Sequence, residues 1–174
     1  KPEINKVRVA KEFVKFNERC FIRLLGDMRS VNYVLEITPD FEAVQYRVRP
    51  IDFDQQSYHG RAKTYMAYHF DSNKVVTRMS FREMNRQTIA QYAEEERTQM
   101  ARRARAERSR LQALLRTMER EELAPMENIV RLRNGLNRIH GTDKFTECET
   151  MGSLTKRHIE LMLFDPDFAY RANR

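Results

Sequence analysis

The sequence predicts an α+β fold that is mostly α, and three observations carry that expectation. Apolar residues recur at helical spacing over most of the chain. One stretch between 33 and 53 is instead built of β-branched and aromatic runs split by turn residues. Chain breakers are scarce, with 5 Gly and 5 Pro in 174 residues. That length suits one domain with its own core. A hydrophobic content of 41% excludes a low-complexity or fibrous chain, and 33% charged residues implies a large wetted surface. The 32 Lys and Arg against 25 Asp and Glu give a net charge of +7, which favours anionic partners without choosing among nucleotide, nucleic acid and acidic lipid.

The elements follow in order. From Glu3 to Leu25, residues such as Ile4, Val7, Phe13, Phe16, Phe21 and Leu24 recur at helical spacing with Lys and Arg between them, so one amphipathic helix is expected, ending at Gly26. Tyr33 to Ile37 and Val44 to Val48 are strand-like runs flanking Thr38-Pro39-Asp40, which is turn chemistry, so a β-hairpin follows. Residues 54 to 79 read as loop with a short helix around Thr64 to Phe70. Ser80 with Glu83 three residues on has the pattern of a capping box, and no breaker intervenes before Pro125. One long helix of about 40 residues is therefore expected, on the order of 60 Å from end to end. Pro125 opens a further helix that stops at Gly141. Two shorter helices, near Lys144 to Met151 and Leu154 to Phe164, precede Asp165-Pro166-Asp167.

Cys20 and Cys148 are too few and too isolated for a disulfide framework or a cysteine zinc site, so a reducing, cytoplasmic setting is expected. No apolar run approaches the roughly 20 residues that span a bilayer. The chain carries no signal-peptide pattern and opens on Lys1, so it is expected to be a piece of something longer.

The residues that carry chemistry lie early. Gly26-Asp27 ends the first helix, Asn32 follows Asp27 by five residues, and the hairpin leads into Ile51-Asp52-Phe53-Asp54. This order resembles the catalytic half of the protein-kinase-like superfamily, including the aminoglycoside phosphotransferases: a GDxxxxN loop, a hairpin, then a metal-binding Asp flanked by apolar residues. Phosphoryl transfer needs a carboxylate beside the attacking hydroxyl and oxygen ligands that hold Mg²⁺ on the phosphates. The resemblance implies a helical kinase-like lower lobe with Asp27 as the catalytic carboxylate, Asn32 and Asp52 as Mg²⁺ and ATP ligands, and Asp54 as a further metal ligand. It divides the chain into 1–79, holding catalytic loop, hairpin and metal segment, and 80–174, a helical region packed on it that includes the long added helix. The oxygens of Asp27, Asn32 and Asp52 are expected within about 4 to 8 Å of one another. Leu25 stands where the family often has His, and Asp54 where it often has Gly. The implied partners are a nucleotide, a hydroxyl acceptor of unspecified kind, and an N-terminal, ATP-covering lobe of the same parent chain. Asp52-Phe53-Asp54 alone also fits the DxD metal clamp of sugar-nucleotide glycosyltransferases, whose fold wants alternating strands and helices upstream.

Residues 97 to 120 hold eight arginines, with Arg102, Arg103, Arg105, Arg108 and Arg110 crowded together. They read as a solvated helix face or as an anion-binding surface, the basis of an alternative function as a non-enzymatic helical module that binds an anionic partner or another protein. Nucleic acid is the less favoured partner, because aromatic residues that would stack bases are absent after Tyr92. Apolar ends make dimerisation through this helix conceivable, although the heptad fails in the middle. His59 and His69 read as solvated loop residues, His140 as a helix C-terminal cation and His158 as a surface residue. Met66, Met79, Met84, Met118 and Met126 read as gap-filling core.

Overall fold

The computed structural model describes residues 4–39, 41 and 44–165. It is mostly helical with one two-stranded antiparallel sheet, as the sequence predicts. Helix α1 (Lys6–Ile22) is capped by the Asn5 side chain, which accepts from the Arg8 amide at 3.0 Å. It stops before Gly26 because Leu24 takes a left-handed backbone, φ 49°.

The hairpin pairs β1 (Tyr33–Pro39) with β2 (Val44–Pro50) in a register that sets Tyr33 opposite Pro50 and Ile37 opposite Tyr46. A lone two-stranded sheet is marginal in water, and α1 supports this one. Arg19 Nη2 donates to the Val48 carbonyl at 2.9 Å, Arg8 Nη1 to the Val44 carbonyl at 2.6 Å, and the Tyr46 hydroxyl accepts from the Asn5 amide at 3.1 Å. Beneath the inner face Phe13, Phe16, Cys20, Leu25, Met28, Val48 and Ala67 form a small core, with Tyr33 and Leu35 against it.

The stretch expected to be one long helix is divided. Helix α2 (Lys74–Glu83) ends at Met84, α3 (Arg86–Ala106) begins on a new cap, and α4 (Arg108–Arg120) follows a break at Glu107, φ −104° and ψ 30°. Ser80 caps nothing: it lies inside α2 and its hydroxyl donates to the Val76 carbonyl. Asn85 is the cap that forms, accepting from both the amide and the hydroxyl of Thr88 at 2.8 and 2.9 Å. The short helix expected around Thr64 to Phe70 is a succession of single 3₁₀ turns at Ala62–Tyr65, Ala67–His69 and Asp71–Asn73.

Helix α5 (Met126–His140) follows Pro125 and stops at Gly141, φ 58°, as its sequence demands. Residues 144–147 form a turn where a helix was expected, because the Asn137 side chain takes the Phe145 amide at 3.1 Å and drives the Phe145 ring into the core. Helix α6 (Met151–Phe164) begins on a reciprocal cap between Thr150 and Ser153. At Gly152 the α4 and α6 backbones touch, and a Cβ there would lie 2.2 Å from the Met118 carbonyl. The larger core gathers α1, α4, α5 and α6 around Tyr65, Leu132, Leu136, Phe145 and Leu154, each of them worth roughly 1.5–3 kcal/mol of burial. Met126 is not part of it and is 63% exposed. Among the described residues no helix is long and apolar enough to cross a membrane.

Candidate functional site

The end of α1 and the segment after the hairpin are laced together by backbone. The Ser57 amide donates to the Leu24 carbonyl at 2.8 Å, the Gly26 amide to the Gln55 carbonyl at 3.2 Å, and Leu25 bridges Gln56 between them. A Cβ at Gly26 would meet the Gln55 carbonyl oxygen at 2.8 Å, so this close approach requires glycine. Asp27 then takes the left-handed region, φ 55°, and its amide donates to the Thr64 carbonyl at 3.2 Å. Leu24 and Ser57 share that conformation. Three left-handed non-glycine residues in one small region store strain on the order of 1–3 kcal/mol each, the kind that clusters at functional sites.

From this frame the 26–32 loop closes on itself. The Asn32 side-chain amide donates to the Asp27 carbonyl at 2.7 Å and approaches one Asp27 carboxylate oxygen at 3.5 Å. The other Asp27 oxygen accepts from Arg29 Nε at 2.7 Å, in an ion pair whose arginine is 60% exposed and whose carboxylate is 21% exposed. The Asn32 carbonyl accepts from the Ile51 amide at 3.0 Å, which sets Asp52 one residue beyond the loop. Asp52 Oδ1 accepts from the Asp54 amide at 3.1 Å and so fixes the turn that follows the hairpin. Asp54 is exposed, and its carboxylate accepts from the adjacent Gln55 side chain. Asp27 and Asn32 are thus in direct contact, Asp52 is tied to them through backbone, and Asp54 engages its own neighbour.

Two residues outside the motif hold the loop. Asn73 is buried with every polar atom used: Nδ2 donates to the Met28 and Ala67 carbonyls at 2.8 and 2.7 Å, and Oδ1 accepts from the Tyr33 hydroxyl at 2.9 Å. It joins loop, 3₁₀ turn and hairpin in one network. The Gln56 side chain donates to the Arg23 carbonyl and reinforces the bridge at the end of α1. Neither carries a sequence signal, since Asn73 in Asp-Ser-Asn reads as an ordinary turn residue.

The donor set is oxygen only, which suits a hard divalent cation. Asn32 Nδ2 is committed to the Asp27 carbonyl, leaving the amide oxygen as the donor, and Asp52 keeps Oδ2 beyond its bond to the turn. By chemistry both atoms are hard oxygen donors of the kind Mg²⁺ takes alongside phosphate and water. Among the described residues no three His, Cys, Asp or Glu side chains gather to hold a metal by themselves. A cleft of about 630 Å³ opens elsewhere, between α1, α2 and α3, against Phe13, Glu18, Tyr68, Thr77, Phe81 and Ile89; Asp27, Asn32 and Asp52 do not line it.

The arginine stretch separates into two kinds. Arg97 is buried, donating to Glu18 at 2.7 Å and to Glu94 at 2.8 Å, so it joins α3 to α1 and is not part of an anion-binding face. Arg102, Arg103, Arg105, Arg108 and Arg110 are exposed on α3 and α4.

Two of the histidines, His140 and His158, depart from their sequence reading. His158 is wholly buried and His140 nearly so, their Nε2 atoms 3.2 Å apart beside the Phe21 and Phe145 rings. Burial lowers the pKa of His140 to about 4 and that of His158 well below its ordinary value, so neither serves as a cation. Comparison with protein-family models, with characterised proteins and with solved structures finds none that matches this chain.

Proposed function

We propose that the 26–54 region is the catalytic and metal-binding segment of a kinase-like phosphotransferase that moves a phosphoryl group from ATP to a hydroxyl acceptor. The observation that carries this reading is the unbroken chain of bonds from Asp27 through the Asn32 amide and the Asn32 carbonyl to Ile51, which delivers Asp52 to the same loop. In this mechanism Asp27 accepts the acceptor's hydroxyl proton while that oxygen bonds to phosphorus. The bond from phosphorus to the bridging oxygen breaks, and its electron pair leaves on the nucleoside diphosphate. Asn32 Oδ1 and Asp52 Oδ2 would hold Mg²⁺, which supplies charge neutralisation on the phosphates. Arg29, paired with Asp27, orients the carboxylate. The adenine would lie under a separate lobe of the parent chain. Two buried, unpaired thiols, Cys20 and Cys148, support a reducing cytoplasmic setting.

The test separates the two roles. Asp52→Asn should abolish much of the Mg²⁺-dependent nucleotide affinity and the transfer with it. Asp27→Asn should bind Mg-ATP nearly as the wild type does and transfer about 10²-fold or more slowly. In the 174-residue chain itself, Mn²⁺ should broaden the amide resonances of Asn32 and Asp52 first. Equal loss of binding in both variants, or broadening centred elsewhere, overturns the assignment.

A further inference from the structure

The exposed arginines of α3 and α4 border a groove that the phosphotransferase reading does not use. One hollow of about 370 Å³ has an aliphatic floor of Met100, Leu111, Leu114, Ile159 and Leu163. Arg19, Arg23, Arg103 and Arg110 also line it, Arg103 and Arg110 exposed, together with one acid, Glu107. A second hollow of about 430 Å³ shares Ala104, Leu111 and Ile159 with the first and is also lined by Arg105, Arg108 and Phe164, with one acid, Glu160. The shared residues form an apolar saddle with Arg103 and Arg110 lining one hollow and Arg105 and Arg108 the other. Arg19 is committed to Glu96 at 3.2 Å. Among the described residues, Arg23, Arg103, Arg108 and Arg110 enter no ion pair. Leu114, which lines the first hollow beside these arginines, is 57% exposed, a large aliphatic residue left in water.

We propose that this groove is a docking site for an acidic amphipathic helix of a protein partner. An apolar stripe at i, i+3, i+4 and i+7 would lie along the saddle, and carboxylates on its two flanks would meet the two arginine pairs. Charge and shape together select this occupant. A nucleic acid would use the arginines but leave the aliphatic floor in water, and base stacking needs a series of rings where the groove offers one, Phe164, already covered by Arg105 at 5.4 Å. An acidic bilayer would satisfy the arginines too, but its flat surface would leave the two hollows beside the shared residues unfilled. The partner therefore carries both the negative charge and the apolar side chains, on a rod narrow enough to enter.

The experiment uses the 174-residue chain and four probes: an 18-residue peptide with leucines at those positions and glutamates elsewhere, the same composition with the leucines scrambled, a single-stranded oligonucleotide, and vesicles of phosphatidylserine. The amphipathic peptide should bind, with amide shift changes centred on Met100, Leu111, Leu114 and Ile159, and the scrambled peptide should bind at least about tenfold more weakly. Leu114→Glu alters an exposed residue and should weaken binding about tenfold. The double variant Arg103→Glu, Arg110→Glu should do the same and flatten the salt dependence. Circular dichroism identical to wild type certifies both variants as folded. Equal binding of the scrambled peptide, tighter binding of the oligonucleotide or vesicles at the same salt, shifts centred elsewhere, or no binding up to about 1 mM overturns the proposal.

Discussion

The paired imidazoles of His140 and His158 are the least expected residues in the chain. Their Nε2 atoms lie 3.2 Å apart, so one ring donates, the other accepts, and both are neutral. Protonation of either would place a charge among Phe21 and Phe145, and on the accepting ring it would set two N–H groups against each other. The sign of the pH dependence follows. The folded-state pKa of His140 is lowered from 6.5 to about 4, so the unfolded chain binds the proton more readily. The stabilisation is complete above about pH 6.5 and is lost as pH falls towards 4, with His158 adding in the same direction. Urea unfolding should show a loss of up to about 3 kcal/mol between pH 7 and pH 4.5, and the variant His140→Gln should lose much less over the same range. Sequence could not reveal this pair. The two histidines are 18 positions apart with the turn at 144–147 between them, and nothing in the local pattern says that α5 and α6 face each other there. Asp27 and Asn32 were legible for the opposite reason: their contact is made within five residues, where spacing alone fixes the geometry. Asn73 was not, because one of the carbonyls it holds belongs to Met28, 45 residues away.

At the scale of elements, α1 and α3 are joined by ionic contacts of graded depth. Lys15 meets Glu95 at 3.0 Å, Arg19 meets Glu96 at 3.2 Å, and Arg97 meets Glu18 at 2.7 Å with the guanidinium only 3% exposed. Burial raises the Glu18 pKa above its ordinary value even with the Arg97 guanidinium against it, so desolvation outweighs that attraction. The depth of each pair decides its worth. Arg97→Ala leaves Glu18 buried and uncompensated and should cost about 3–5 kcal/mol in chemical denaturation. Glu95→Gln, at the partly exposed end, should cost under about 1 kcal/mol. A similar loss in both would mean that the contacts act only through net charge. Glu95 and Glu96 stand beside arginines in the sequence, but their partners Lys15 and Arg19 lie on another helix, as does Glu18, the partner of Arg97. The division of the long helix was within reach of sequence reasoning, since Asn85-x-x-Thr88 is a capping pattern in its own right. Ser80 and Glu83 carry the same kind of pattern, but they lie inside α2 and at its end, and the Ser80 hydroxyl is held by the Val76 carbonyl.

Across the whole molecule, the two cores share one element. Phe13, Phe16 and Cys20 of α1 enter the small core beneath the hairpin, and Phe21 and Ile22 of the same helix enter the large core formed with α4, α5 and α6. The candidate loop hangs from the first core through Met28, and the arginine-bordered groove rests on the second through Leu115 and Ile159. Fold class was legible at this scale because helical spacing dominates the chain and only one stretch breaks it. The sharing of α1 was not, since its apolar residues show which positions are inside and not which neighbours they meet.

That sharing makes α1 the axle of the protein. A hairpin that detaches leaves the large core standing, and α2 or the 3₁₀ turns at Ala67–His69 and Asp71–Asn73 can open without disturbing α4 or α6, but no opening that releases the Phe16–Ile22 stretch of α1 spares either half. Amide hydrogen exchange should therefore be slowest along the inner turns of α1, at rates set by global unfolding and following denaturant as the whole molecule does. Exchange in β1, β2 and α2 should be faster and less sensitive to denaturant. If α1 instead exchanged as fast as the hairpin, the halves would be independent bodies. If it does not, a ligand that grips the 26–32 loop and one that fills the groove, though far apart in sequence, will each slow the same set of protons.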